Sequence, residues 1–299
     1  MSFDATPPAD TATEAATTLA VVIEGQRLAA GLVDASANVI VRDRIATPPH
    51  DAWPGLERMI RRVLAAAPSG TPRPAAVATV CSGPIDAQAG SFSPPYIYSW
   101  SNFPLRERLE ELTELPVSVD SLAGAVANFR ARGHGPGGAE SAPSSFLEVL
   151  LGSSVDSACV VAGRRLRGAH GNAGSLAHVT VEPEGKPCWC GARGCAETYL
   201  STSAIESEIN RPLQRTTPSI VERTGIMLGR ALSTVAVTVD VSAAYVSGPL
   251  VETLGAPLLL AARTEIEVRS RLPNVADLAV LPRGDAPLLV AAMFAGRGG

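Results

Sequence analysis

Three of the chain's five cysteines, Cys188, Cys190 and Cys195, fall within eight residues, and His178 stands ten residues ahead of the first. The string H-x9-C-x-C-x4-C constrains the fold more than any other feature of the sequence. A tetrahedral zinc site needs four such donors within about 2.0–2.3 Å of one point. Gly191 and Gly194 let the backbone turn tightly enough to bring three thiolates together. Lys186, the chain's one lysine, and Arg193 add positive charge that favours the thiolate form. The plain alternatives are three buried thiols or a disulfide. Cysteines as close as Cys188 and Cys190 rarely reach disulfide geometry, and a third sulfur would stay unpaired. A redox pair would want C-x-x-C, which is absent. Zinc held by His178, Cys188, Cys190 and Cys195 is therefore expected. Four protein ligands leave no open position, which makes the ion structural.

The remaining composition bounds the function from outside. Of 299 residues, 46% are hydrophobic and 18% charged, enough apolar material for a packed core. A net charge of −4 gives no drive towards nucleic acid or an anionic membrane. No apolar run reaches the ~20 residues of a transmembrane helix. The first 18 residues carry Asp4, Asp10 and Glu14 and no basic residue, unlike a secretory signal. A cytoplasmic protein with a disordered acidic tail over residues 1–17 is expected.

Hydrophobic periodicity predicts strands over Leu19–Ile23, Gln26–Asp34 and Val39–Ile45, then a helix over Trp53–Ala67 with Leu56, Met59, Ile60 and Val63 on one face. A buried strand follows at Ala75–Cys81, a short helix at Leu105–Leu115, a strand at Val117–Val119 and a helix at Ser121–Arg132. Gly133–Ser145 reads as a loop. Phe146–Leu151 and Ala158–Ala162 read as a hairpin joined through Gly152–Ser157. Helices over Ile220–Val237, Pro257–Arg271 and Ala286–Ala295 enclose strands at Ala243–Val246 and Ala279–Leu281. Strands first, then helices alternating with strands, predict an α/β chain in two lobes, and two halves that each open with strands suggest a duplicated fold.

The stretch Arg167-Gly-Ala-His-Gly-Asn-Ala-Gly-Ser-Leu-Ala-His178, followed by Cys188-Trp-Cys-Gly-Ala-Arg-Gly-Cys-Ala-Glu-Thr-Tyr-Leu-Ser201, resembles the signature of the ROK family of sugar kinases and sugar-responsive repressors. The family pattern runs G-x-x-G-x-A-G-E-x-G-H, then C-x-C-G-x-x-G-C-x-E-x-x-x-S. Its cysteine half is matched at every defined position, and a weaker resemblance extends from Leu19 to Ala295. The resemblance implies an actin-like, ribonuclease-H-like two-lobed ATPase fold with a structural zinc site. It divides the chain into a lobe over 18–118, a lobe over 119–284 carrying the zinc loop, and a helix over 285–299 returning to the first lobe. It also implies a homodimer or tetramer.

The elements that the resemblance requires of a kinase are largely replaced. The first phosphate loop, D-x-G-G-T-K, becomes Val22-Ile-Glu-Gly-Gln-Arg27: Val22 cannot hold Mg²⁺, and Glu24 brings a carboxylate where phosphate oxygens would lie. The second, G-T-G-x-G-x-G, becomes Gly152-Ser-Ser-Val-Asp-Ser-Ala158, with side chains where backbone N–H groups would approach phosphate and with Asp156 adding negative charge. The third glycine-rich turn is Ser247-Gly248-Pro249, whose proline removes a donor. The base Asp of N-D-A-N falls on Leu122, which accepts no proton. On the sugar side, the Glu of E-x-G-H is Ser175, while His178 and Glu197 remain. No catalytic residue is therefore expected, and ATP with Mg²⁺ is not an expected cofactor. Ser121, Asn172, Ser175 and Glu197, with His170, are candidate contacts for a small sugar or sugar-like ligand. His170 and Asn172 could equally cap a glycine-rich turn.

These residues predict a zinc-containing pseudokinase acting as a sugar-sensing or regulatory module. The alternatives are an active ATP-dependent, glucokinase-like enzyme, or a co-regulator related to the family's repressors. Direct nucleic-acid binding is not expected, since an acidic stretch of about 18 residues before the first strand is far short of the ~60 of a winged helix.

Overall fold

The computed structural model describes residues 17–48, 50–133, 143–272, 275, 278–282 and 292. Two five-stranded sheets carry the chain, and both are built in the same order. In the first, β1 (Thr17–Ile23), β2 (Arg27–Val33) and β3 (Val39–Ala46) form an antiparallel meander, while β4 (Pro74–Cys81) and β7 (Val117–Ser121) add in parallel on the other side of β1. In the second, β8 (Phe146–Leu151), β9 (Val155–Val161) and β10 (Arg164–Arg165) repeat the meander, and β11 (Ala243–Ser247) and β12 (Ala279–Pro282) repeat the parallel pair. The sequence-based suggestion of a duplicated fold is thus visible as two sheets of one topology.

Local chemistry explains the elements. β1 is buried along nearly its whole length because it is the centre of its sheet, whereas edge strand β3 alternates and carries Arg42, Asp43 and Arg44 against edge pairing. α1 (Trp53–Ala65) begins with a proline in its first turn and buries Leu56, Met59, Ile60 and Val63 against the first sheet. β5 (Ile85–Asp86) and β6 (Ser91–Phe92) form a small hairpin, after which α2 (Leu105–Thr113) buries Leu105 and Leu109. α3 (Leu122–Ala131) packs on strands of both sheets. In the second half, α4 (Glu197–Leu200) and α5 (Thr202–Ile209) precede α6 (Pro218–Val239), which lies along α7 (Pro249–Arg269).

Three expectations change. β9 begins at Val155, so Asp156 and Ser157 lie on a strand rather than in the hairpin turn, which shrinks to Gly152–Ser154. α7 starts at Pro249 and is broken at Gly255 (φ 58°, ψ −142°), so the helix expected from Pro257 is its second segment. β7 continues in the first sheet to Ser121, so a lobe boundary at 118/119 would cut a strand. The tail expected over 1–17 lies outside the described residues except at Thr17, which is not a tail residue but the first of β1; most of the Gly133–Ser145 loop and nearly all of the final helix also lie outside them. Ala292 is described, and it is buried with Ala20, Val22, Ala78 and Val80 of the first sheet.

α3 is tied to the second sheet by a buried ion pair. Arg130 donates through Nε to Glu148 Oε2 at 2.6 Å and through Nη2 to Oε1 at 3.1 Å, and its guanidinium lies 4.4 Å from the Tyr245 ring centroid. Breaking one side of such a pair leaves an uncompensated buried charge. Arg130→Met is expected to cost about 3–5 kcal/mol in urea unfolding. Replacing both partners with apolar residues should cost much less. A loss below about 1 kcal/mol for the single variant would contradict this account.

Candidate functional site: a metal loop beside a two-chambered cleft

The four cysteine-cluster residues converge. Cys188 N donates to Ala192 O at 2.8 Å and Gly191 N to Cys188 O at 3.0 Å, closing a tight turn in which Gly191 (φ 91°) takes a left-handed conformation. Gly194 (φ 71°) packs so closely on the Glu182 carbonyl that a Cβ would collide with it. His178 Nδ1 lies 3.7 Å from Cys188 Sγ, Cys190 Sγ lies 3.7 Å from Cys195 Sγ, and all four ligand atoms are within 4.8 Å of one another. A tetrahedron with ~2.3 Å metal–sulfur bonds has edges of about 3.8 Å, so the donors fit a metal ion. Burial lowers the His178 pKa, which keeps the imidazole neutral as a ligand must be.

The loop also positions the cleft. Ala196 N bonds Val179 O at 2.9 Å and Glu197 N bonds Ala177 O at 2.8 Å, fixing the start of α4 directly after Cys195. The Glu197 carboxylate then accepts from Val155 N at 2.7 Å, and burial pushes its pKa up to about 7. Glu197, His178, Ser121, Asn172 and Ser175 line one cavity of about 300 Å³, together with Ser154, Asp156 and Trp189. Of the candidate ligand contacts, His170 stays outside it, largely exposed and 3.9 Å from Asp86.

The partners of these residues distinguish their roles. Asn172 accepts from Ile85 N at 3.2 Å and donates to Ile85 O at 2.7 Å, so its amide clasps the β5–β6 hairpin to the second half of the chain. Ser121 caps α3, accepting from Gly124 N at 3.0 Å. Its side chain also lines the cavity.

The turns aligned with the phosphate loops, Glu24–Gln26 between β1 and β2 and Gly152–Ser154 between β8 and β9, occupy equivalent places in the two sheets and meet across the cleft. Ser153 lies so close to Gly25 that a Cβ there would run into its Oγ. Leu122 is buried with Ala20, Val22, Ala78, Ala125 and Val126. A second cavity of about 400 Å³ runs from Glu24, Gln26 and Arg27 past Ser154 and Asp156 to Glu206 and Gln214. A more apolar groove of about 580 Å³ between α6 and α7 adjoins it, sharing Leu213, Gln214 and Thr253.

Between the chambers sits a charged cluster of Asp120, Asp156 and Arg165, of which the sequence pointed to the two aspartates but not to the arginine. Arg165 donates to Asp120 and, through Nη2 at 3.1 Å, to Gly171 O; its guanidinium lies flat on Gly124, where any side chain would collide. Asp156 Oδ2 accepts from Ala123 N at 2.9 Å, so its carboxylate stands at the N-terminus of α3, beside Leu122. Burial raises the Asp156 pKa from 3.8 to about 7, against the lowering effects of the Ala123 bond and of Arg165. Ser154, Arg165 and Trp189 also escaped the sequence reading. Only Trp189, an aromatic inside the cysteine string, carried a signal that could have been used, and its ring meets His178 edge-on at 4.9 Å.

Two sheets of one topology flanking a cleft define the actin-like two-lobed α/β class. The family model for the ROK family matches residues 18–255, and the chain belongs to that family. It is 27% identical to an N-acetylmannosamine kinase of Escherichia fergusonii over 93% of this chain and 98% of that protein. It is 43% identical to a glucokinase of Halalkalibacterium halodurans over a shorter stretch, 36% of this chain and 31% of that protein. The crystal structure of a ROK family glucokinase from Streptomyces griseus in complex with glucose and AMPPNP has the same fold, with a TM-score of 0.75 at 24% identity, covering 94% of this chain and all of that one.

The Asp156 carboxyl has a testable consequence. Its folded pKa of about 7 lies above the ordinary 3.8, so between those values the folded state binds more proton than the unfolded one. Its contribution to stability is therefore largest in acid and is lost as pH rises through that window. Asp156→Asn should flatten this fall, so that the difference in Tm between variant and native protein grows in favour of the variant up to neutrality and then levels. A difference independent of pH would show that Asp156 ionises normally.

Proposed function

We propose that this protein binds a sugar without phosphorylating it, as a zinc-stapled pseudokinase of the ROK family. The observation that carries the reading is the contact of Ser153 with Gly25, which fills the space between the two turns that would hold phosphate. Leu122 at the family's base position and Glu24 beside the closed turn point the same way. The inner cavity keeps a carboxylate, hydroxyls and an exposed tryptophan at its rim, a donor set suited to a polyhydroxylated ring. The relatives' names direct the first trials to N-acetylmannosamine and glucose.

One observation favours a second reading. Asp156 brings a carboxylate beside Leu122 and lines both cavities, so a base could have moved from α3 to β9 in an active ATP-dependent sugar kinase. Such a base contributes ~10²–10⁴-fold. Calorimetric titration with Mg-ATP, alone and with sugar, separates the readings. The proposal expects heat from a sugar and none from Mg-ATP, and no turnover in a coupled kinase assay. Micromolar Mg-ATP binding with turnover would replace it with the second reading.

Zinc is the metal proposed for the His178–Cys188–Cys190–Cys195 set, by the softness of three thiolates and the closed tetrahedral arrangement. Purified protein is expected to carry one equivalent of zinc per chain by mass spectrometry of the metal. Chelation should lower Tm by many degrees, and Cys195→Ser should lose both the ion and the chelator response. A metal-free chain with the same Tm would end this assignment.

A further inference from the structure

The three tryptophans of the chain are placed very differently. Trp100 is 2% exposed and stacked on Phe103, with ring centroids 4.2 Å apart and planes 3° from parallel. Trp53 packs against the same core beside Phe103, at 5.9 Å. Trp189 joins none of the apolar clusters among the described residues, is 52% exposed, and lines the inner cavity. An indole left half in water holds apolar surface that burial against a ligand would recover. It also stands at the undefined position of C-x-C, so its placement belongs to this chain rather than to the family pattern.

The ring is held in place before any ligand arrives. Its neighbours on either side, Cys188 and Cys190, both belong to the cluster that could hold a metal ion. Two backbone bonds, Cys188 N to Ala192 O at 2.8 Å and Gly191 N to Cys188 O at 3.0 Å, close the turn around it. The His178 ring lies 4.9 Å away at 79° to the indole, and His178 Nδ1 is in turn 3.7 Å from Cys188 Sγ. A ring so restrained gives up little freedom on binding. The same cavity supplies the Glu197 carboxyl, the Ser121 and Ser175 hydroxyls and the apolar rings of Pro84 and Pro95. A pyranose has the matching division of surface, with hydroxyls around its edge and apolar C–H bonds on its faces. An open-chain polyol carries the same hydroxyls but presents no such face.

We propose that Trp189 is the specificity-determining residue of the inner cavity, where its indole stacks on the C–H face of a six-membered sugar ring and selects cyclic sugars over open-chain polyols. This assignment rests on the reading of the cavity as a sugar site and adds the substrate class and the residue that chooses it.

The test titrates the full chain calorimetrically with D-glucose, N-acetyl-D-mannosamine and D-glucitol, and follows tryptophan emission in parallel. At least one of the two cyclic sugars is expected to bind ten or more times as tightly as glucitol, on the order of what one aromatic anchor contributes. Its binding should move the emission to shorter wavelength as the Trp189 indole leaves water. Trp189→Phe keeps an aromatic face, so it should hold the affinity within a few-fold while abolishing the emission change. Trp189→Ala and Trp189→Leu should each lose about tenfold or more, the leucine showing that an aromatic plane is needed rather than apolar bulk alone. The emission readout uses the native protein, so it stands even where the alanine variant folds poorly. Sugar binding that leaves emission unchanged, survives in the leucine variant or extends equally to glucitol overturns the assignment and keeps the sugar reading. Absence of binding by both cyclic sugars overturns the two together.

Discussion

The N-terminus of α3 is the point on which the site's geometry turns. Three of its first polar groups are satisfied by side chains: Ser121 N by Asp120, Ala123 N by Asp156 and Gly124 N by Ser121. Arg165 then binds Asp120 and lies against Gly124, so residues from β7, α3, β9 and β10 are fixed to one another in a buried ionic knot. Such a knot is a poor source of net stability, because desolvating the charges consumes most of the Coulombic gain. Its effect is geometric. It sets where the two sheets meet, and it holds Asp156 at the wall between two cavities.

The cysteine loop fixes the opposite wall. The stretch from His178 to Cys195, whose histidine and three cysteines could hold a metal ion, has little apolar content of its own, and Glu197, two residues beyond Cys195, is carried into the cleft and anchored on Val155. Asn172 pins the β5–β6 hairpin over the same cavity. The inner chamber is thus framed by contacts reaching across the whole chain, none of which is itself chemistry on a ligand. Glu197, Ser175 and Ser121 line that chamber together with Ser154, Asp156 and Trp189.

Much of this was legible beforehand. The strands of the first meander, β8, most of β9, α1 and α6, and the cluster of one histidine and three cysteines could be located from periodicity and spacing, because β1, β8 and α6 carry strong apolar patterns and the cysteines lie close together in sequence, whereas the two-residue strand β10 gave no signal. The β8–β9 turn was placed too long, since Asp156 and Ser157 look like turn residues and are strand residues held by partners far away in sequence. The break at Gly255 masked the first segment of α7 for a similar reason.

The sequence by itself determined the α/β alternation and the clustering of one histidine and three cysteines, because each of these depends on residue type at short spacing. Tertiary structure alone decided that Ser153 closes on Gly25, that Arg165 rests on Gly124 between two aspartates, and that Asp156 and Ser154 border two chambers at once. Most of those are relations between residues far apart in sequence, in turns, strands and α3. No local preference encodes them, since they arise only when the two halves of the chain come together around α3.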